Sequence, residues 1–105
     1  MGTQNYPSII GALGAVTGAD GVAKFTAGAA TGRTAAGIYT LTLDEAADAD
    51  ACCIQITPRG TGTPVVAEVV HTSDTVKTVN LFDSATGAAA TDHDFDFLVL
   101  RGPLS

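Results

Sequence analysis

Residues 93–101 read His-Asp-Phe-Asp-Phe-Leu-Val-Leu-Arg, and the alternation in this run constrains the fold more than any other feature. Successive side chains of an extended strand point to opposite faces. Phe95, Phe97 and Val99 therefore share one face, and Asp94, Asp96, Leu98 and Leu100 share the other. The same period recurs in 37–43, where Tyr39, Leu41 and Leu43 oppose Ile38, Thr40 and Thr42, and in 51–57, where Cys52, Ile54 and Ile56 oppose Cys53, Gln55 and Thr57. Residues 64–71 are valine-rich, and 75–82 form a further β-rich run. The helix-prone stretch 44–50 is short and flanked by strands, so it reads as a connection with one helical turn at most.

Turn chemistry separates these runs. Asp20-Gly21 is a hairpin signal followed by a strand over 22–25. Proline and glycine hold a loop at 58–64, Ser73-Asp74 is a short polar turn, and 83–87 is a longer one. Turns spaced by about 8–12 residues define a sandwich or small barrel. The expected fold is all-β: a single antiparallel β-sandwich of seven to eight strands. No unit repeats at a solenoid period. With 105 residues the chain is one domain by length. Residues 1–20 are rich in Gly and Ala and carry no charge before Asp20. They read as an N-terminal arm or edge segment, with the β-sandwich domain in 21–105.

Alanine, threonine and glycine make up nearly half the chain, and there is no Trp. A chain this size buries roughly two-thirds of its unfolded surface, and here it does so with small side chains. The core is expected to be thin, and Ile9, Ile10 and Leu13 need something to pack against; both point to a homotrimer. Five basic residues stand against eleven acidic ones, a net charge of −6. That opposes binding to nucleic acid and docking on anionic lipid. The N-terminal residues have neither a basic region nor a long apolar run, and position 6 is Tyr where a myristoylation signal carries Ser or Thr. Synthesis in a cytoplasm is the expectation.

Few residues point to chemistry. Cys52 and Cys53 are adjacent, so they face opposite ways and read as two free thiols. Asp92, Asp94 and Asp96 recur at strand spacing, a set of hard oxygen ligands that would suit calcium. They lack the glycine turn and terminal Glu of an EF-hand, and as a charged row they also discourage edge pairing. The expectation is that they hold no structural metal. His71 and His93 read as polar residues at strand ends, and no G-x-S-x-G elbow accompanies them. Neither phosphate-loop pattern occurs, and the glycine-rich 28–37 reads as a flexible turn leading into a strand. Arg59 and Arg101 read as solvated charges, or as partners for an acidic residue on a neighbour. No catalytic residue, cofactor or metal is expected, and no enzymatic activity.

The stretch Gly32-Arg33-Thr34-Ala35-Ala36-Gly37-Ile38-Tyr39-Thr40-Leu41-Thr42-Leu43 resembles the G-x-Y-x-V-x-F strand of small β domains in tailed-phage virion proteins. Ile54-Gln55-Ile56-Thr57-Pro58-Arg59, Asn80-Leu81-Phe82-Asp83 and 94–101 continue the resemblance, which spans residues 31–101. It implies a jelly-roll-like sandwich, usually trimeric, of the kind found in head decoration proteins and tail-fibre tips, and no catalytic residues. The expected function is decoration of a phage head on its outer surface. The partners are then the major capsid protein and further copies of the chain. The alternative is a receptor-binding module of a tail fibre or spike; a third possibility is a ligand-binding sandwich unrelated to phage. The chain lacks the heptads of a fibre shaft. Most of its aromatics (Tyr6, Phe25, Tyr39, Phe82, Phe95 and Phe97) fall in alternating strands and are expected to fill the core. Tyr6, Pro7, Ile9, Ile10 and Arg59 are the expected contacts with capsid or neighbouring subunit.

Overall fold

The structure is a computed structural model that describes residues 10–48, 52–60, 64–88 and 92–101. Eight strands follow in order: β1 (Ile10–Val16), β2 (Ala23–Ala27), β3 (Ala29–Ala35), β4 (Ile38–Leu43), β5 (Cys52–Pro58), β6 (Val65–His71), β7 (Val76–Asp83) and β8 (Phe95–Arg101). No helix occurs among the described residues, including 44–48.

The strands form two four-stranded sheets, with orders β2-β1-β8-β5 and β3-β4-β7-β6. Every pairing is antiparallel. Hairpins join β1 to β2, β3 to β4 and β6 to β7; the chain changes sheet between β2 and β3, β4 and β5, β5 and β6, and β7 and β8. The β2–β3 change takes a single residue, Gly28, at φ +80°. A Cβ there would collide with the Gly11 carbonyl oxygen, so glycine is required for both its dihedral and its lack of a side chain.

One core lies between the sheets. Tyr39, Leu41 and Leu43 of β4 and Val79 and Leu81 of β7 meet Val16 and Ala12 of β1 and Phe95, Phe97 and Val99 of β8. Tyr39 and Phe95 stack edge to face with ring centroids 5.1 Å apart, the geometry favoured by the ring quadrupoles. The inward rows are those read from the alternation. Phe25 is 59% exposed, however, and Phe82 is only half-buried, so neither belongs to the core.

Three expectations need correction. Residues 10–16 are neither an arm nor an edge: they form β1, hydrogen-bonded between β2 and β8. The boundary at residue 20 therefore falls inside one sheet. Small residues weaken the alternation signal of β1, yet they are what lets it sit centrally. A Cβ on Gly14 would lie 2.7 Å from the Phe97 ring, so the missing side chain makes room for that aromatic. The glycine-rich 28–37 is mostly strand, β3, rather than turn. Finally, Asp92 and Asp94 precede β8 instead of lying on it.

Candidate functional site

Directly opposed residues of an antiparallel pair share a face, so the register defines what each sheet presents to solvent. On sheet β2-β1-β8-β5 the outward rows are Cys53–Leu100–Ile10, Gln55–Leu98–Leu13–Ala27 and Thr57–Asp96–Ala15–Phe25. Ile10 is 57% exposed and Phe25 59%; Leu13, Leu98 and Leu100 are half-buried. The one charge in these rows, Asp96, is neutralised by Arg59, whose Nε lies 2.6 Å from Asp96 Oδ1. The outcome is a contiguous apolar face on a chain of net charge −6.

The second sheet's outward rows are similar in charge. Val66–Phe82, Glu68–Asn80–Ile38, Val70–Thr78–Thr40–Gly32 and Val76–Thr42–Ala30 contain a single carboxylate. The remaining charges of the described residues sit mainly at turns and strand ends.

Of the expected contact residues, Ile10 opens β1 and stands in the outward row beside Leu100. Tyr6, Pro7 and Ile9 lie outside the described residues. Arg59 follows β5 directly and turns to Asp96 of its own chain rather than standing free. That contact is short but out of line for an Nε–H hydrogen bond, and Nη2 is also buried without a partner. The Arg59 backbone N–H donates to Asp94 O at 2.9 Å. Arg101 gives its guanidinium to the carbonyls of Glu45 and Ala46 at 3.3 and 3.1 Å. Leu98, Leu100 and Phe25 were not among the expected contacts, whereas Leu13 was expected to need something to pack against and stands on this outward face. The signal for the two β8 leucines was present in the alternation, which puts apolar residues on both faces of that strand.

The aspartates converge on the opposite problem, closing one end of the sandwich. Asp92 Oδ1 accepts from Arg33 Nε at 2.9 Å and from the Gly37 N–H at 3.2 Å, and lies 3.2 Å from the Tyr39 hydroxyl. Tyr39 donates to Gly18 O at 2.8 Å and accepts from the His93 N–H at 3.2 Å. Gly18 N–H in turn donates to Asp94 Oδ1 at 2.7 Å. A Cβ on Gly18 would strike the His93 backbone. Three segments are thus clasped: the β1–β2 turn, the β3–β4 hairpin and the approach to β8. The Arg33 hydrogen bond, helped by Gly37 and Tyr39, holds the Asp92 carboxyl below its usual range. Burial pushes the Tyr39 hydroxyl up, and the Asp92 hydrogen bond raises Arg33. A shallow depression of about 400 Å³ beside the clasp is lined by Ala19, Arg59, Gly60, Asp92, His93 and Asp94. Each aspartate is directed to a different partner, and no group of three or more His, Cys, Asp or Glu among the described residues is arranged to hold a metal. Cys52 and Cys53 are free thiols, Cys52 half-buried and Cys53 on the outward face.

No family model matches the sequence, and neither a curated protein nor a solved structure does.

Proposed function

We propose that the chain is a capsid decoration protein of a tailed bacteriophage, a jelly-roll-like homotrimer that binds the outside of the head and stabilises it without chemistry. The observation that carries this reading is the apolar outward face of Ile10, Leu13, Leu98, Leu100 and Phe25, whose one carboxylate is paired within the chain. Such a face fits a protein partner, because desolvating it strands no unpaired charge.

Area argues for several contacts per copy. The sheet's four strands, of five to seven residues, span at most roughly 19 by 23 Å, on the order of 440 Å². A standard interface takes about 800 Å² from each partner. One sheet face is therefore too small to hold the protein alone. The face carrying Ile10 docks on the major capsid protein, and the second face, with Glu68 as its single carboxylate, serves contact between copies. A trimer multiplies the weak contacts and bridges neighbouring capsomers. A ligand that binds only the assembled shell stabilises it by mass action. The net charge of −6 suits an outer surface, where it keeps particles apart. Packaged DNA would repel it on the inside.

The test compares decorated heads with heads stripped of the protein, heated in parallel. Stripped heads release DNA at the lower temperature, and adding back the protein restores the midpoint. Equal survival of the two overturns the reading. A second reading, a receptor-binding module of a tail fibre or spike, draws on Phe25, an exposed aromatic of the sort that stacks on sugars. Binding of the purified protein to host cells, lost in Phe25→Ala, would favour it.

A further inference from the structure

Among the described residues, the charged side chain that the fold buries is Lys77, 1% exposed on the inward face of β7. Its Nζ donates to Ala47 O at 2.6 Å and Ser73 O at 2.8 Å and lies 2.6 Å from His71 Nδ1. An ammonium has three donors and no acceptor, so His71 receives the third bond on the Nδ1 lone pair and carries its proton on Nε2. Nε2 faces Asp74 Oδ1 at 3.4 Å. The buried cation thus touches only neutral acceptors, and the Asp74 carboxylate reaches it through the imidazole ring.

A cavity of about 210 Å³ opens beside this group. Its walls are Cys52 and Ile54 of β5, Val69 and His71 of β6, and Lys77. β5 and β6 are edges of different sheets and are not hydrogen-bonded to each other, so the seam between them gives access to the inward face. The combination is a slot of mixed lining, with Ile54 and Val69 as its aliphatic walls and a cation beside them.

We propose that this cavity binds a short aliphatic carboxylate, with its alkyl chain against Ile54 and Val69 and its carboxylate in the place of His71 at the Lys77 ammonium. A charge-assisted bond is roughly twice as strong as one to a neutral acceptor, and it supplies the anion that a buried cation otherwise lacks. His71 is exposed and free to turn toward water and Asp74 when displaced. At about 30 Å³ per water-sized unit, the volume holds roughly seven non-hydrogen atoms. Pentanoate is that size.

The experiment titrates the full chain with sodium pentanoate and follows the methyl resonances of Ile54 and Val69 by NMR. Pentanol and pentylamine, of the same chain length, are titrated alongside. The expected result is saturable shifts with pentanoate, at least tenfold weaker binding of pentanol, and none of pentylamine. Ile54→Trp, which fills the slot and leaves Lys77 in place, abolishes the pentanoate shifts. Lys77→Met, close in shape and neutral, removes the preference for acid over alcohol. Three results each overturn the proposal: no saturation with pentanoate, equal binding of pentanol, or unchanged binding in Ile54→Trp. None of them depends on whether Lys77→Met folds.

Discussion

Tyr39 does two jobs with one side chain. Its ring fills the core against Phe95, and its hydroxyl reaches the end of the sandwich where Gly18, Asp92 and His93 meet. Tyr39→Phe keeps the ring and removes the hydroxyl, leaving the Gly18 carbonyl without that donor. The expected loss is about 1–3 kcal/mol, measured by urea denaturation. The hydroxyl's pKa is raised by burial, so its contribution is present below the ordinary tyrosine range, near pH 10, and is lost as pH rises; Tyr39→Phe removes that alkaline dependence. Asp92 has the opposite sign. Its carboxyl is held low in the fold, so the unfolded chain takes up the proton first. The stabilisation is present above the ordinary aspartate range, about pH 4, and is lost as pH falls through the lower folded value. Asp92→Asn is expected to cost about 1.5–3 kcal/mol at neutral pH and to flatten the acid limb of stability against pH.

At the level of elements, β8 shows why an alternating strand carries two kinds of information. Its inward row of Phe95, Phe97 and Val99 holds the fold, while Leu98 and Leu100 pack against nothing in the core. Leu98→Glu is expected to change stability by less than about 1 kcal/mol, as is usual for sites outside the core. It should still sharply reduce occupancy on capsids, read by densitometry of purified particles. Normal occupancy of a folded Leu98→Glu variant would remove this face from the binding surface. β1 is the contrasting case. Gly14→Val drives a branched side chain into Phe97 and the Phe25 carbonyl, and the expected cost of such overpacking is about 1–3 kcal/mol or more. An arm lying outside the sandwich would tolerate the substitution at little cost. Thermal melting separates the two.

For the whole molecule, the core of small residues and two sparsely charged faces argue that a single copy leaves too much apolar surface in water. Light scattering at working concentration is expected to give three times the 10.5 kDa chain mass. A stable monomer that withstands dilution would count against the trimer. The dispersal of Asp92, Asp94 and Asp96 among Arg33, Gly18 and Arg59 gives a further expectation. Melting with and without a chelator should give the same midpoint, whereas a large drop would reveal a structural metal.

Alternation and turn residues were enough to determine that the chain is all-β and which side chains of β4, β5 and β8 share a face. Those signals are local: a two-residue period and a glycine dihedral depend on nearest neighbours. The placement of β1 was not legible, because glycine and alanine say little until the ring of Phe97, more than eighty positions away in sequence, occupies the space they leave. The aspartates were visible as a row, but the role of each was set by Arg33, Gly18 and Arg59, brought there by strand order. Nothing in the sequence set Lys77 apart within the β-rich run 75–82, and only the convergence of Ala47, Ser73 and His71 makes its burial tolerable. Period and turn chemistry act within a few residues of the chain, whereas the partners of a buried charge, a clasp or an outward face come from segments that meet only when the two sheets close.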